Sequence, residues 1–584
     1  MTQAASEVHG SVAIPEAEHR IEPTSQSRID EALSILDAHK GEWVALDIDE
    51  RLELLDQIRL GMVDVAQAWV EASVKAKGLT VGTAEEGEEW LAGVSTVLRN
   101  VSLLMSSLRD IRDYGVPQLP KPAFARPDGQ VVAPVAPANA WDGIIFQGFT
   151  AEVWMDPSVS LDTLPDHQAA FYRAKSPRGA IGLVLGAGNV ASIGPMDALY
   201  KLFVEGQVVV LKMNPVNEYL GPFIDQAFSA LSERGFFKVV YGGAAEGDYL
   251  CKHELVDEIH ITGSDKTHDA IVFGVGEEGE RRKAGKQPVN PKRLTCELGN
   301  VSPVIVVPGP WSKKDLDFHG VNIATSVCNN SGYNCSATRV VVQHEQWTQR
   351  EALLASLRKA FQEASDRKPY YPGSEARHQT FVEHHPDADQ FGKRGRGHVP
   401  WTLIHHLDPN DPDEICFNME SWCGQTSEVA LPASSVVEYI ERAVDFCNER
   451  IWGTLNASII VHPKSLKDPA VAEAVERAIA NLRYGSVAVN HWAGIVYGMV
   501  STTWGAFPGH SVDDIRSGQG VVHNTFMFDR PQKSVLRGPF RPFPKPAWFI
   551  DHKNAVELGK RMTYFNADPS IARLPGLVWA SLRG

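Results

Sequence analysis

The run Ile181-Gly182-Leu183-Val184-Leu185-Gly186-Ala187-Gly188-Asn189, followed at 208–212 by Val-Val-Val-Leu-Lys, reads as a buried strand, a tight turn, a helical stretch and a second buried strand. Lys238–Tyr241 and Glu258–Ile261 continue the series, with helical patterning over Met196–Glu205 and Ile224–Arg234 between them. Strand and helix alternating every 25–30 residues or so is the pattern of βαβ units in a parallel sheet. Further along, Val301–Val307, Val429–Leu431, Ala457–Val461 and Ser486–Val489 read as strands of a second α/β block, with helices near 315–328 and 346–364. The fold class is therefore α/β. Upstream, residues 1–27 read as a flexible polar arm. Helical stripes follow, first at Ile29, Ala32, Leu33 and Leu36, then at Leu55, Ile58 and Met62, with Asp49 or a neighbour as cap. Prolines at 117, 120, 122, 127, 134 and 137 break regular structure. Residues 276–294 read as a charged surface insertion, 366–415 as a long irregular excursion, and the tail beyond 537 is dense in Pro and aromatics.

The chain has 584 residues, enough for two or three domains, with 43% hydrophobic and 22% charged residues. A net charge of −16 argues against a nucleic-acid or membrane-surface binder, which needs a basic face. It leaves room for an anionic cofactor held by a local lysine and helix N-termini. Seven scattered cysteines without a CxxC pair suggest neither a disulfide framework nor a zinc site, and fit a reduced, cytoplasmic setting. No secretory signal or transmembrane run is expected. The pairs His384-His385 and His405-His406 lack a metal-ligand pattern, so no metal is expected.

Four segments carry chemistry when taken together with Cys335, in Asn330-Ser331-Gly332-Tyr333-Asn334-Cys335-Ser336-Ala337. A cysteine on a Gly-containing turn suits a thiol approached closely by a carbonyl, provided a base or a charge activates it. Gly186-Ala187-Gly188-Asn189 lacks the full GxGxxG spacing; Asn189 is either a helix N-cap or an amide aimed at an oxyanion. Lys212 ends its strand where α/β proteins bind ligands. Ile261-Thr262-Gly263-Ser264 is a strand and turn whose Ser264 could start a helix and hold a phosphate. Glu297, in Cys296-Glu297-Leu298-Gly299, is a carboxylate in apolar company, where burial raises its pKa toward that of a general base.

In order and spacing these segments resemble the aldehyde dehydrogenase superfamily from about residue 28 to 510. The family's Glu-Leu-Gly-x-x-Ser-Pro stands as Glu297–Pro303, its Gly-x-x-Cys as Gly332–Cys335, and its Phe-Thr-Gly-Ser as Ile261–Ser264. Its Glu-x-aromatic pair stands as Glu420-Ser421-Trp422, and Tyr484–Asn490 resembles a late strand. The resemblance implies Cys335 as nucleophile, Asn189 as oxyanion donor and Glu297 as base. It implies Lys212, Asn214, Gly263, Ser264, Glu420 and Trp422 as contacts for NAD or NADP, and a small-molecule aldehyde as substrate. Pro215 stands where NAD-preferring members often carry Glu, so NADP becomes possible, while Glu218 could restore NAD preference. Alternatives are a CoA-acylating aldehyde dehydrogenase or acyl reductase, and a non-catalytic protein on the same fold.

The organisation this implies is a nucleotide-binding parallel-sheet domain at 28–148 and 179–297 and an α/β catalytic domain at 298–512. An oligomerisation β-arm would comprise a hairpin at 149–178, pairing Glu152–Met155 with Ala170–Ala174, plus a strand and C-terminal extension at 513–584. An unpaired arm needs a partner edge, so a homodimer or homotetramer is expected. The tail aromatics Phe540, Phe543, Trp548 and Phe549 are expected to cover a neighbouring subunit or the substrate entrance. Trp422, Trp492, Trp504 and Phe507 hint at an apolar substrate.

Overall fold

The computed structural model describes residues 9–584. Two sheets organise it. The smaller has six strands in the order Gly518–Gln519, Arg293–Leu298, Glu258–Gly263, Ile181–Leu185, Val208–Lys212 and Phe237–Val240. The last five run parallel, and Gly518–Gln519 is antiparallel to its neighbour. Their Val/Ile/Leu-rich runs are buried on both faces, as parallel strands under crossover helices must be. The helices Gln26–Ala45 and Ile48–Lys77 pack beside this half, the second capped by Asp47 and Glu50 in a reciprocal box rather than by Asp49.

The larger sheet has eleven strands. Asp389–Phe391, Trp401–Leu407, Gln425–Leu431, Thr338–His344, Ser302–Val306, Asn456–Ile460 and Ser486–Val489 form its first seven strands. Pro531–Arg537, Thr150–Met155, Val131–Ala136 and Phe124–Ala125 continue it.

Several expectations are corrected here. Thr150–Met155 does not pair with 170–174, because Ala170–Arg173 is a helical turn; it lies between Val131–Ala136 and Pro531–Arg537. Pro531–Arg537 in turn pairs with Ser486–Val489 of the same chain, so the unpaired arm edge that motivated an oligomer is not there. The proline-rich stretch still yields the strand Val131–Ala136, with Pro134 beside a register shift, where a missing N–H is tolerated. Residues 366–415 are not irregular: they hold a helix, Ser374–His384, and two strands at the edge of the larger sheet. Residues 276–294 hold the helix Gly276–Ala284 and begin the strand carrying Glu297. The arm at 1–27 is ordered from His9 onward against the protein's surface; residues 1–8 lie outside the described ones. The helical stretch Ala84–Tyr114 is long and apolar enough to cross a bilayer by length and composition, and 78% of that window is buried inside the fold.

Candidate active site

Cys335 follows a loop with an unusual backbone. Asn330, Ser331 and Gly332 take φ of 52°, 58° and 84° in succession, a left-handed run costly for residues other than glycine. At Gly332 a Cβ would lie 2.6 Å from backbone atoms of Cys423 and Gly424, so only glycine fits. Buried charges hold the loop. Lys77 donates to Glu89 at 2.7 Å, to Asn330 Oδ1 at 2.9 Å and to the Asn189 carbonyl at 3.2 Å. Glu88 accepts two bonds from Arg367, both 2.7 Å, and one from the Asn330 N–H at 3.0 Å. Arg339 donates to the Gly332 and Cys423 carbonyls, tying loop to wall. The Cys335 carbonyl accepts from Ser302 Oγ and Asn456 Nδ2, both at 3.1 Å, which fixes the peptide plane behind the thiol.

Asn189 is buried and does not cap the next helix; Ser192 occupies the cap position. One hydrogen of its amide goes to the Tyr333 carbonyl at 2.9 Å. An amide carries two, so the bond to the Cys335 loop orients the group and leaves a second donor beside the thiol. At Gly188 a Cβ would meet Asn214 Oδ1 at 2.6 Å and Val216 at 2.8 Å, so this glycine lets the turn approach the next strand's end.

Glu297 ends the strand that crosses beneath. Burial foremost, then Asp197 and Glu420, push its carboxyl up to about 8, against bonds from Cys335 and Trp504 that favour the anion. The Trp504 Nε1 donates to Glu297 Oε1 at 3.3 Å. The half-buried Cys335 thiol is raised well above its usual value, first by desolvation and then by Glu297 and Glu420. Thiol and carboxyl thus face one another as a pair in which only one group readily gives up its proton. Asp197 has no motif to betray it in the sequence; it is buried, accepts from Thr262 Oγ1 at 2.8 Å and lies 3.4 Å from His260 Nε2. Lys77, Arg339 and Asp197 come from distant segments, and each is visible as functional only through the charges it meets.

The thiol opens into an apolar cavity whose wall includes Leu91, Phe146, Trp492, Ile495, Trp504 and Trp548. Trp548 brings the C-terminal tail to the entrance. Phe540 and Phe549 pack instead on the chain's own Trp311 and Phe318, and Phe543 is exposed. Trp422 packs edge-on against Tyr371, away from this wall.

The family profile described as "Aldehyde dehydrogenase family" matches residues 148–374. A curated relative, the putative aldehyde dehydrogenase DhaS of Bacillus subtilis (strain 168), is 27% identical over 300 residues, 48% of this chain and 56% of that protein. The 4-trimethylaminobutyraldehyde dehydrogenase of Homo sapiens is 31% identical over 144 residues, 24% of this chain and 26% of its own length. The chain thus spans about half or less of the curated relatives it matches. Among solved structures, the NAD-dependent aldehyde dehydrogenase from Sinorhizobium meliloti aligns over 92% of both chains with TM-score 0.57 and 16% identity. The NADP-dependent glyceraldehyde-3-phosphate dehydrogenase from Bacillus halodurans C-125 aligns over 88% of this chain and 92% of its own, with TM-score 0.58 and 16% identity. Residues 148–374 of this chain thus match the aldehyde dehydrogenase family, and its fold is that of solved aldehyde dehydrogenases.

Lys212 is buried at its strand's carboxyl end, and desolvation lowers it to about 8 despite Glu246, Glu16 and Glu218 nearby. Asn214 turns back to accept the Val216 N–H at 3.0 Å, and Ser264 spends its hydroxyl capping the helix Asp265–Phe273 through Thr267. Gly263 is exposed beside it. Across the crevice Glu420 is buried and raised to about 8 by desolvation, and its Oε1 has no hydrogen-bond partner. A buried acceptor without a donor and a buried lysine at the carboxyl ends of a parallel sheet fit a sugar-phosphate ligand such as a dinucleotide.

Proposed function

We propose that this protein oxidises an apolar aldehyde to its carboxylic acid, using NAD or NADP. The observation that carries the reading is Cys335 at the wall of an apolar cavity, hydrogen-bonded to the buried Glu297 and on a loop whose Tyr333 carbonyl holds the Asn189 amide. Proton transfer from the Cys335 thiol to the ionised Glu297 carboxylate generates the nucleophile, since the thiolate and not the thiol attacks. Attack on the aldehyde carbon places negative charge on oxygen, where the free Asn189 N–H and the Cys335 backbone N–H stabilise it. A bound nicotinamide dinucleotide, held by Lys212, Asn214, Gly263, Ser264, Glu420 and Trp422, would supply the hydride acceptor. Once Glu297 has passed the thiol proton to solvent, it removes a proton from the water that attacks the Cys335 thioester, and the carbon–sulfur bond breaks to release the acid and return the Cys335 thiolate.

The cavity wall supports an apolar or aromatic aldehyde, because it is built on Leu91, Phe146, Trp492 and Ile495 and the charges that reach it are already paired, Lys77 with Glu89, Arg99 with Asp142 and Glu88 with Arg367. An aldehyde panel run with each cofactor, following reduced nicotinamide by absorbance and acid by chromatography, tests this. Acid formed without added CoA is expected. Product that appears only with CoA would move the assignment to an acylating enzyme, and no turnover with any aldehyde would remove the catalytic reading.

A further inference from the structure

The carboxyl edge of the smaller sheet is covered by the chain's own N-terminal segment. Followed backward from the first long helix, Thr24 exchanges bonds with Tyr241 just past the strand Phe237–Val240: its N–H donates to the Tyr241 carbonyl at 3.0 Å, and its Oγ1 accepts the Tyr241 N–H at 2.9 Å. The Arg20 and Ile21 N–H groups donate to Glu218, beyond the strand Val208–Lys212, the second at 2.9 Å, with His19 Nδ1 at 3.4 Å. Glu16 accepts the Ala244 N–H at 2.9 Å at the start of the helix Ala244–Lys252, against Gly243, where no side chain would fit. The Ser11 N–H donates to Asp265 at 3.0 Å, past the strand Glu258–Gly263. Gly10 and Ser11 then pair in parallel with Met419 and Glu420, and Ser11 Oγ faces Gly299, past the strand Arg293–Leu298.

Residues 24 to 10 therefore visit the carboxyl ends of four of the five parallel strands, from the Phe237–Val240 edge, to which Glu16 returns, across to Arg293–Leu298. This is the edge where an open α/β sheet binds its ligand. It is also the edge that carries Lys212, Gly263 and Glu420. Chain and dinucleotide cannot both lie there. We propose that residues 10–24 form an autoinhibitory strap that competes with the dinucleotide, its Glu16 carboxylate taking an anion's position at the N-terminus of the helix Ala244–Lys252, on the Lys212 side of the crevice. The inference rests on the cofactor half of the proposed function.

The strap is built to leave. Only Gly10, Ser11 and Val12 are fully buried, while Ile14, Glu16 and Arg20 are exposed. It also fits imperfectly: Ser11 Oγ and Glu420 Oε1 are both buried beneath it without partners, a mismatch that a better donor would repair. A protein whose competent state is only fractionally populated binds its ligand more weakly by that fraction, so removing the strap tightens binding.

Titration calorimetry with NADH and NADPH on the full chain, on a chain lacking residues 1–20 and on Glu16→Gln tests this, together with hydrogen exchange on the segment 9–24. The deletion is expected to lower Kd about tenfold or more and Glu16→Gln several-fold, and saturating cofactor is expected to raise exchange across 9–24 in the full chain. Equal Kd in all three chains, or unchanged protection at saturation, overturns the strap while leaving the cofactor reading intact. Absence of binding in every chain overturns both. If the deletion does not fold, Glu16→Gln and the exchange measurement decide.

Discussion

The loop before Cys335 and the segment 10–24 lie on the same molecule under opposite physical regimes. The loop holds a left-handed backbone run in place with the buried ion pairs Lys77–Glu89 and Arg367–Glu88 and with the buried Arg339 on its carbonyls. Removing one member of such a pair strands a charge away from water, which costs several kcal/mol. The segment 10–24 uses backbone N–H groups and exposed side chains, each worth about 0.5–1.5 kcal/mol net. Ordering its backbone costs about 1–2 kcal/mol per residue, so these bonds alone leave the segment no net stability of its own. The difference teaches where rigidity is concentrated: around the nucleophile, and not over the crevice that must open.

The sharpest way to break this contrast is at Gly332. Gly332→Ala is expected to abolish measurable turnover and lower stability by more than about 1–3 kcal/mol, since backbone strain adds to a clash with backbone atoms. Activity assays and chemical denaturation check it; a wild-type result would mean the loop is not over-determined. Lys77→Met, which leaves Glu89 buried without its cation, is expected to cost about 3–5 kcal/mol in denaturant unfolding and to lower kcat through a displaced Asn189.

Asp197→Asn acts through charge alone. Glu297 titrates near 8 and must be ionised to work, so the rate is expected to rise with pH through that value. Asp197 helps hold the pKa up, so its neutralisation is expected to move the rising limb toward lower pH. A limb that stays in place would detach Asp197 from the site. Trp548→Ala is expected to raise KM for bulky apolar aldehydes several-fold and to leave small ones nearly unchanged. On the other side of the comparison, deletion of residues 1–20 is expected to change unfolding free energy by no more than about 1 kcal/mol, because the cost of ordering the segment takes up what its bonds and buried residues contribute.

The sequence announces the parallel strands because each is an uninterrupted apolar run, and Ile181–Leu185, Val208–Lys212 and Ser486–Val489 have the bounds their residues imply. It hides the larger sheet's extension because Val131–Ala136 is broken by Pro134, and the bulge that accommodates the proline has no local signature. It also misplaces the hairpin, since strand partners are set by packing across several hundred residues and not by adjacency. Of the apolar wall, Trp492 and Trp504 are where their aromatic character suggests, whereas Trp422 and Phe507 pack elsewhere. Cys335, Glu297 and Asn189 stand out by type and spacing. The groups that tune them, Lys77, Asp197 and Arg339, do not, because a lysine or aspartate in a helix looks like a solvated charge until its burial is known. The N-terminal strap is the extreme case: polar composition reads as a loose arm, and only the three-dimensional path shows what it lies across.

The central claim is that Cys335 carries the substrate and Glu297 releases it. Glu297→Gln incubated with aldehyde and oxidised cofactor, and followed by intact-protein mass and peptide mapping, tests this most directly. The account predicts one stoichiometric release of reduced cofactor, an acyl adduct on Cys335 and turnover slowed by at least about a hundredfold, the scale of a lost general base. Undiminished turnover with no adduct on Cys335 would contradict it.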